Sequence, residues 1–344
     1  MKILLIGNFA PPYEEESLYN FSVLNSLRND GNDCYVINIS ENPSKEDGII
    51  DITGYFDYIS KLISLARKKD VIHFMTKGYT RLGLLKLALS VLSSSLFRAK
   101  PVITFHSELL SIIGLTRSPF GGQQTMHFSF SRAHKIIFAD RDTCEAASVY
   151  RTKDNFTIIP SFIPITEELK GNWPVAFKKL SNKKKVIVFS NVIYPSFLFD
   201  ILKGLLSLST HPDMGIVVSL SEKPSVKLQH VIEEFGGNWA ESMVFIESDN
   251  IKMLTMAYTR ANLVLRPLSC DGKVFFPGFT VSLKRPVRSD KFLYFPDSLL
   301  LLKEGDVAGL SSYIVNTILM EKTETPPDVS SEDFYSLIKK IYTT

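Results

Sequence analysis

Cysteine is scarce in this chain. Its three cysteines, Cys34, Cys144 and Cys270, lie far apart and form no CxxC pair. That excludes a disulfide framework and a cysteine-built metal centre, and it fits a reducing compartment. Charge of one sign is also scarce: 39 basic and 36 acidic side chains leave a net charge of only +3. Such a balance implies no nucleic-acid partner, although a local patch can still meet anionic lipid or a phosphorylated ligand. The densest basic cluster, Lys178, Lys179, Lys183, Lys184 and Lys185, reads as a solvated interdomain linker. Long apolar runs are missing too. The greasiest stretch, Leu82 to Phe97, contains Lys86 and four serines. It falls short of the roughly eighteen apolar residues of a membrane span. The opening MKILLIG is followed too soon by Asn8, Pro11 and Pro12 to be a signal peptide. The expected location is therefore cytoplasmic, with peripheral contact on the cytoplasmic membrane face left open. No GxGxxG follows the first strand, and neither GxxxxGK[ST] nor GxSxG occurs. The dinucleotide-oxidoreductase, P-loop and common hydrolase readings lose their usual support.

What the sequence does have is a repeated order of apolar runs and helical patterns. At 344 residues, two domains of about 150 residues are expected. Hydrophobic residues make up 45% and charged residues 22%, an ordinary balance for buried sheets. Strand signals fall at 2–7, 34–39, 71–75, 101–105, 136–139 and 156–159. A helical pattern runs from Tyr19 to Leu27, and others fall at 55–68, 81–97, 122–133 and 142–150. Runs that are apolar throughout, separated by helices, predict a parallel sheet covered on both faces. Pro160, Pro164, Pro174 and the lysine cluster then punctuate the chain, and the pattern restarts. Strands are predicted at 186–190, 216–220, 244–246 and 263–267, and helices near 197–209, 225–235, 250–259 and 277–284. After Pro326 and Pro327, Ser330 or Ser331 caps a terminal helix with an apolar stripe of Phe334, Leu337, Ile338 and Ile341. The predicted fold class is α/β, with two facing Rossmann-like domains and a cleft between them. The first domain spans 1–165 plus the crossover helix 330–344, and the second spans 166–329.

In open α/β sheets, ligands bind where strands end and loops diverge. Polar residues fall there: Asn8, His106 with Glu108, Ser190 with Asn191, and Arg266 followed by Asp271, Gly272 and Lys273. His106 sits at a strand end beside a carboxylate, the position of a base or of a donor to a ligand oxygen. His73 lies inside an apolar run and reads as a satisfied core histidine. His127 and His134, with Asp140 and Asp142 nearby, match no tight metal spacing, so no metal is expected. Arg266 offers a rigid fork of donors suited to a diphosphate, and Asp271 can accept hydrogen bonds from sugar hydroxyls. The Gly121–Gly122 pair sits in the insertion 114–125, which either shapes a pocket or merely connects two elements.

These segments together resemble the retaining GT-B glycosyltransferases, in particular the broad GT4-type group of sucrose-synthase-like and bacterial polysaccharide enzymes. KILLIGNFAPP resembles the opening strand and loop, KKDVIHFM a second strand, and PVITFHSE the strand that ends in an acceptor-side histidine, here His106. HKIIFADRDTCE and FTIIPSFIP resemble the segments leading to the linker. LVLRPLSCDGKVFFPGFTVSLKRPVRSD resembles the segment that ends a strand with proline and passes a carboxylate and a glycine. In the family that segment enters a helix carrying a second carboxylate. The first acidic position falls on Asp271 and the second on Phe279, which cannot accept a hydrogen bond from a ribose. Where the family has Gly–Arg and then Lys after a strand, this chain has Ser190–Asn191 and no cation before Lys203. Where the family has a glycine pair in the first loop, it has Glu14, Glu15 and Glu16.

The resemblance implies a transferase that binds a nucleotide-diphosphate sugar as co-substrate, with no separate cofactor and no metal. Ser190, Asn191, Arg266, Asp271, Gly272 and Lys273 would hold the donor. Asn8, His106 and Glu108 would face a glycan, lipid or small-molecule acceptor. His106, Arg266 and Asp271 would carry the chemistry. The departures leave an alternative open: a non-catalytic GT-B-like binding or scaffold protein, with a partner glycosyltransferase as its natural companion. A nucleotide-sugar epimerase of the same architecture is a third reading.

Overall fold

The computed structural model describes residues 1–11, 13–76, 81–106, 122–165, 175–192, 213–220, 242–267, 269–270, 273–274, 279–284, 286–288, 292–295, 300–303, 309, 312, 314, 316 and 334–344. The chain divides into two units, one of Met1–Pro11, Glu15–Phe162 and Ser330–Thr344, the other of Pro12–Glu14 and Ile163–Val329.

Unit 1 is built on seven strands: β1 (Lys2–Gly7), β2 (Asp33–Asn38), β3 (Ile49–Asp51), β4 (Val71–Thr76), β5 (Lys100–Phe105), β6 (Lys135–Phe138) and β7 (Phe156–Ile158). They form one parallel sheet in the order β3-β2-β1-β4-β5-β6-β7. All six residues of β4 and five of the six in β1 are buried, as expected of strands covered on both faces. Strand order reverses between β1 and β4, the topological switch point of a doubly wound sheet.

Three helices, α2 (Tyr55–Ala66), α3 (Arg81–Phe97) and α4 (Gly122–Arg132), cover one face. Tyr58, Leu62, Leu84, Leu87, Val91, Met126 and Phe130 pack there against Ile72, Phe74 and Ile103. Side chains alternate along a strand, so His73 and Met75 point to the opposite face. There the terminal helix α7 (Phe334–Thr343) docks, its Tyr342 ring meeting His73 edge-on at 5.6 Å. Phe334 stacks on Phe162 at 5.6 Å, and Lys339 and the Tyr335 hydroxyl reach Asp30 at 2.7 and 2.9 Å. The apolar stripe read in the tail is buried at Phe334, Ile338 and Ile341.

Unit 2 carries β9 (Lys185–Val192), β10 (Met214–Leu220), β11 (Met243–Glu247), helix α6 (Ile251–Arg260) and β12 (Leu263–Pro267). A six-stranded sheet runs β11-β10-β9-β12-β15-β18. Its first four strands are parallel, with a second switch point between β9 and β12. Its last two, β15 (Phe279–Lys284) and β18 (Leu300–Lys303), run antiparallel.

β15 corrects the sequence reading, which placed a helix at 277–284. The segment FTVSLK alternates Phe279, Val281 and Leu283 with Thr280, Ser282 and Lys284, the period of a half-buried strand. Its β-branched Thr280 and Val281 add to that preference. The helices expected at 197–209 and 225–235 lie outside the described residues.

Candidate functional site

At the carboxyl end of β1 the chain passes close to its neighbours. A methyl group on Gly7 would sit 2.9 Å from the Asn20 amide nitrogen and 3.3 Å from Met75, so glycine is demanded by packing. The next residue, Asn8, lends its carbonyl to the Asn20 side-chain amide at 3.0 Å, and its own side chain accepts from the Ala10 N–H at 3.2 Å. Asn38, fully buried at the end of β2, fixes this loop further. Its Oδ1 accepts from the Phe9 and Ser40 N–H groups, and its Nδ2 donates to the Asn42 carbonyl and to Asp51 Oδ1. All four hydrogen-bonding positions of the amide are filled, which makes the loop after β1 a preorganised surface. Asn20 and Asn38 were missed in the sequence, where a lone asparagine after an apolar run reads only as a strand end.

Glu15 and Glu16, read as an acidic loop, instead form the first turn of helix α1 (Glu15–Asn29), and both are buried. Carboxylates there meet the positive end of the helix dipole.

His106 follows β5 with its ring buried. Its backbone N–H donates to the Thr76 carbonyl at 2.9 Å, and its ring Nδ1 lies 3.1 Å from Ser161 Oγ. Tyr19 meets the ring edge-on at 4.6 Å and in turn meets Phe162 at 5.3 Å. Burial pushes the Tyr19 phenol up, so it stays protonated. The imidazole is therefore locked in one orientation by Ser161 and an aromatic stack. Its predicted companion Glu108 lies outside the described residues.

His73 is structural. Its Nδ1 bonds the Tyr342 hydroxyl and its Nε2 lies 2.7 Å from Thr104 Oγ1, so either neutral tautomer is satisfied. Complete burial pushes it down to about 3. The unfolded chain takes up a proton on this histidine below its ordinary value near 6.5, while the folded chain resists until about pH 3. Stability is therefore lost as pH falls through that window, by about 1.4 kcal/mol per pH unit from this group. Urea midpoints measured at several pH values are expected to fall more steeply for the natural chain than for His73→Gln. Parallel slopes would contradict the assignment.

Asp140, weighed as a metal ligand, caps helix α5 (Arg141–Ala146), with its two oxygens accepting from the Thr143 N–H at 2.6 Å and the Thr143 hydroxyl at 2.8 Å. His127 is exposed on α4. Among the described residues no three His, Cys, Asp or Glu side chains gather as a metal would require.

In unit 2 the switch point gathers three of the predicted donor residues. Leu263, Val264 and Leu265 pair with Ile187, Val188 and Phe189, which brings the next residues, Ser190 and Arg266, to neighbouring positions near the carboxyl ends of the two strands. The pairing of β9 with β10 shifts there. Phe189 faces Val218 and Val192 faces Leu220, leaving Ser190 and Asn191 opposite the single residue Ser219. One extra residue in β9 is a β-bulge, a device that re-aims side chains and recurs beside active sites. Arg266 itself is held by pairing of β12 with Ser282 of β15. Lys273 lies in a short hairpin, β13 (Ser269–Cys270) with β14 (Lys273–Val274), in which Cys270 pairs with Lys273. The residues between them, Asp271 and Gly272, lie outside the described residues. The loop expected to lead into a helix thus leads into two antiparallel segments. Helix α6 points its amino end to the same side as the strand ends, with Asn250 as cap accepting from the Met253 N–H at 3.0 Å.

No protein-family model matches the chain. No curated protein matches it either. Solved structures do. HepE of Anabaena, in complex with UDP and glucose, superposes with a TM-score of 0.50 at 16% identity, covering 77% of this chain and 73% of that one. The fold is of the GT-B type. The S. aureus MnaA–UDP co-structure is similar at a TM-score of 0.49 and 13% identity, covering 79% and 74% of the two chains. Sucrose-phosphate synthase from Thermosynechococcus elongatus reaches 0.48 at 13% identity, covering 76% and 74%. At such identities the likeness is one of fold. No described helix is long and apolar enough to cross a membrane.

Proposed function

We propose that the chain is a glycosyltransferase that moves a sugar from a nucleotide-diphosphate sugar to a glycan, lipid or small-molecule acceptor. Unit 2 binds the donor and unit 1 the acceptor. The observation that carries this reading is the bulge of β9 at Ser190 and Asn191 beside the emerging Arg266, at the switch point of the sheet. Open α/β sheets bind ligands at such a point, and a bulge there frees polar groups from the ladder. Arg266 and Lys273 neutralise the charge that develops on the departing diphosphate. Asp271 and the backbone at Gly272 accept and donate hydrogen bonds to the donor sugar. On the acceptor side, Asn8 lies on the braced loop after β1, and His106 and Glu108 follow β5. Retention of configuration follows only from the family resemblance. HepE, the best-superposing of the structures above, is bound to UDP and glucose, which agrees with a nucleotide-sugar donor here.

A second reading is favoured by one observation. The segment that would enter a carboxylate-bearing helix is strand β15, beginning at Phe279. That supports a protein which binds a nucleotide sugar, or a partner glycosyltransferase, without turning the sugar over. Thermal-shift and calorimetric titration with UDP, GDP and their sugar conjugates is the test. A saturable response with release of free nucleotide on adding acceptors supports the transferase. A response without turnover supports the binding protein, and no response to any nucleotide overturns both.

A further inference from the structure

Two serine hydroxyls at the carboxyl edge of the unit 2 sheet are buried and unmet. Ser219 of β10 is fully buried, and Ser248, the residue after β11, is 1% exposed. Neither Oγ has a hydrogen-bond partner among the described residues. A buried hydroxyl on a helix commonly returns to a carbonyl one turn back, as Ser22 does to Leu18 at 2.6 Å and Ser94 to Ser90 at 2.8 Å. A strand turns its side chains away from its own carbonyls, so Ser219 has no such recourse. A buried polar group left unbonded costs stability, and one that persists calls for a role.

The register places the two hydroxyls together. Ser219 pairs with Ile246, and Ser248 lies two residues further on, its N–H still bonded to the Leu220 carbonyl at 2.8 Å. Residues in register point to one face, as do alternate residues along a strand, so Ser219 and Ser248 share a face of the sheet. Ser219 is also the residue opposite the β9 bulge at Ser190 and Asn191. In the order β11-β10-β9-β12, Ser219 lies one strand from β9, about 5 Å, and Ser248 two strands, about 10 Å, both away from β12 and Arg266. A donor whose diphosphate rests at the ends of β9 and β12 carries its nucleoside either over β10 and β11 or over β15. β15 begins with Phe279, whose side chain accepts no hydrogen bond. β10 and β11 bring two hydroxyls, each able to donate and to accept. We infer that Ser219 and Ser248 bind the nucleoside of the donor, taking its ribose hydroxyls and the polar edge of its base. This rests on the donor site proposed above and adds to it the direction in which the nucleotide lies.

The test is calorimetric titration of the natural chain, Ser219→Ala and Ser248→Ala with UDP and with GDP, and with inorganic pyrophosphate as the probe that lacks a nucleoside. Each variant is expected to bind nucleotide about two- to tenfold more weakly, the loss of one uncharged hydrogen bond, with its affinity for pyrophosphate unchanged. The melting temperature of the unliganded variants is expected to stay level or rise, because alanine removes a buried hydroxyl that nothing satisfies. Nucleotide affinity equal to that of the natural chain in both variants overturns the inference and leaves the donor site standing, the hydroxyls then being met by buried water. An equal loss for nucleotide and pyrophosphate moves the serines to the diphosphate and overturns it too. A natural chain that binds no nucleotide overturns both the inference and the donor site.

Discussion

Tyr342→Ala is expected to lower the melting temperature of unit 1 by roughly 10–30 °C. The ring is 1% exposed, so its removal leaves a cavity of the kind that costs about 3–5 kcal/mol. The same change leaves buried His73 without its Nδ1 partner, worth about another 1–3 kcal/mol. For a unit of this size each kcal/mol moves the midpoint by about 2–4 °C. Tyr342→Phe separates the two contributions, since it keeps the ring and removes only the hydroxyl. Scanning calorimetry reads both. A midpoint unchanged in Tyr342→Ala would show that α7 does not hold the sheet face on which His73 and Thr104 meet.

Arg266→Ala is expected to weaken nucleotide-diphosphate binding by roughly ten- to 150-fold while leaving the fold intact. A hydrogen bond to a charged group contributes about 1.5–3 kcal/mol, and that range corresponds to the expected loss. Arg266→Lys should recover only part of the loss, because an ammonium supplies charge without the planar fork. The backbone at this position is fixed by β12 pairing with β15, so the effect belongs to the side chain and not to strand order. Equal affinity in Arg266→Ala, measured by calorimetry, would remove the donor role of this residue.

The parallel core was legible because its signal is local. KILLIG, VIHFMT and MGIVVSL are apolar throughout, and only a strand covered on both faces tolerates that. The antiparallel part of unit 2 was harder to see. β13 and β14 have two residues each, too short for any period to show. Yet Asp271–Gly272, flanked by Ser269–Cys270 and Lys273–Val274, is a hairpin signal, and FTVSLK shows strand alternation. Both were outweighed by the expectation of a helix after a strand ending in proline. On the site side, Ser190, Asn191 and Arg266 were identifiable as residues at strand ends. The bulge that sets the first two apart was not, because register is a relation between β9 and β10 that neither strand carries alone. Asn38 was invisible for the same reason: its four partners lie in other segments.

The proposed donor site rests on polar groups at the ends of β9 and β12 meeting a nucleotide diphosphate. Amide hydrogen exchange, followed by mass spectrometry with and without saturating UDP- or GDP-sugar, locates that contact directly. Slowed exchange in peptides spanning 185–192 and 263–274 is predicted. Saturating nucleotide that leaves both segments unprotected, or that protects unit 1 alone, would contradict a donor site at this switch point.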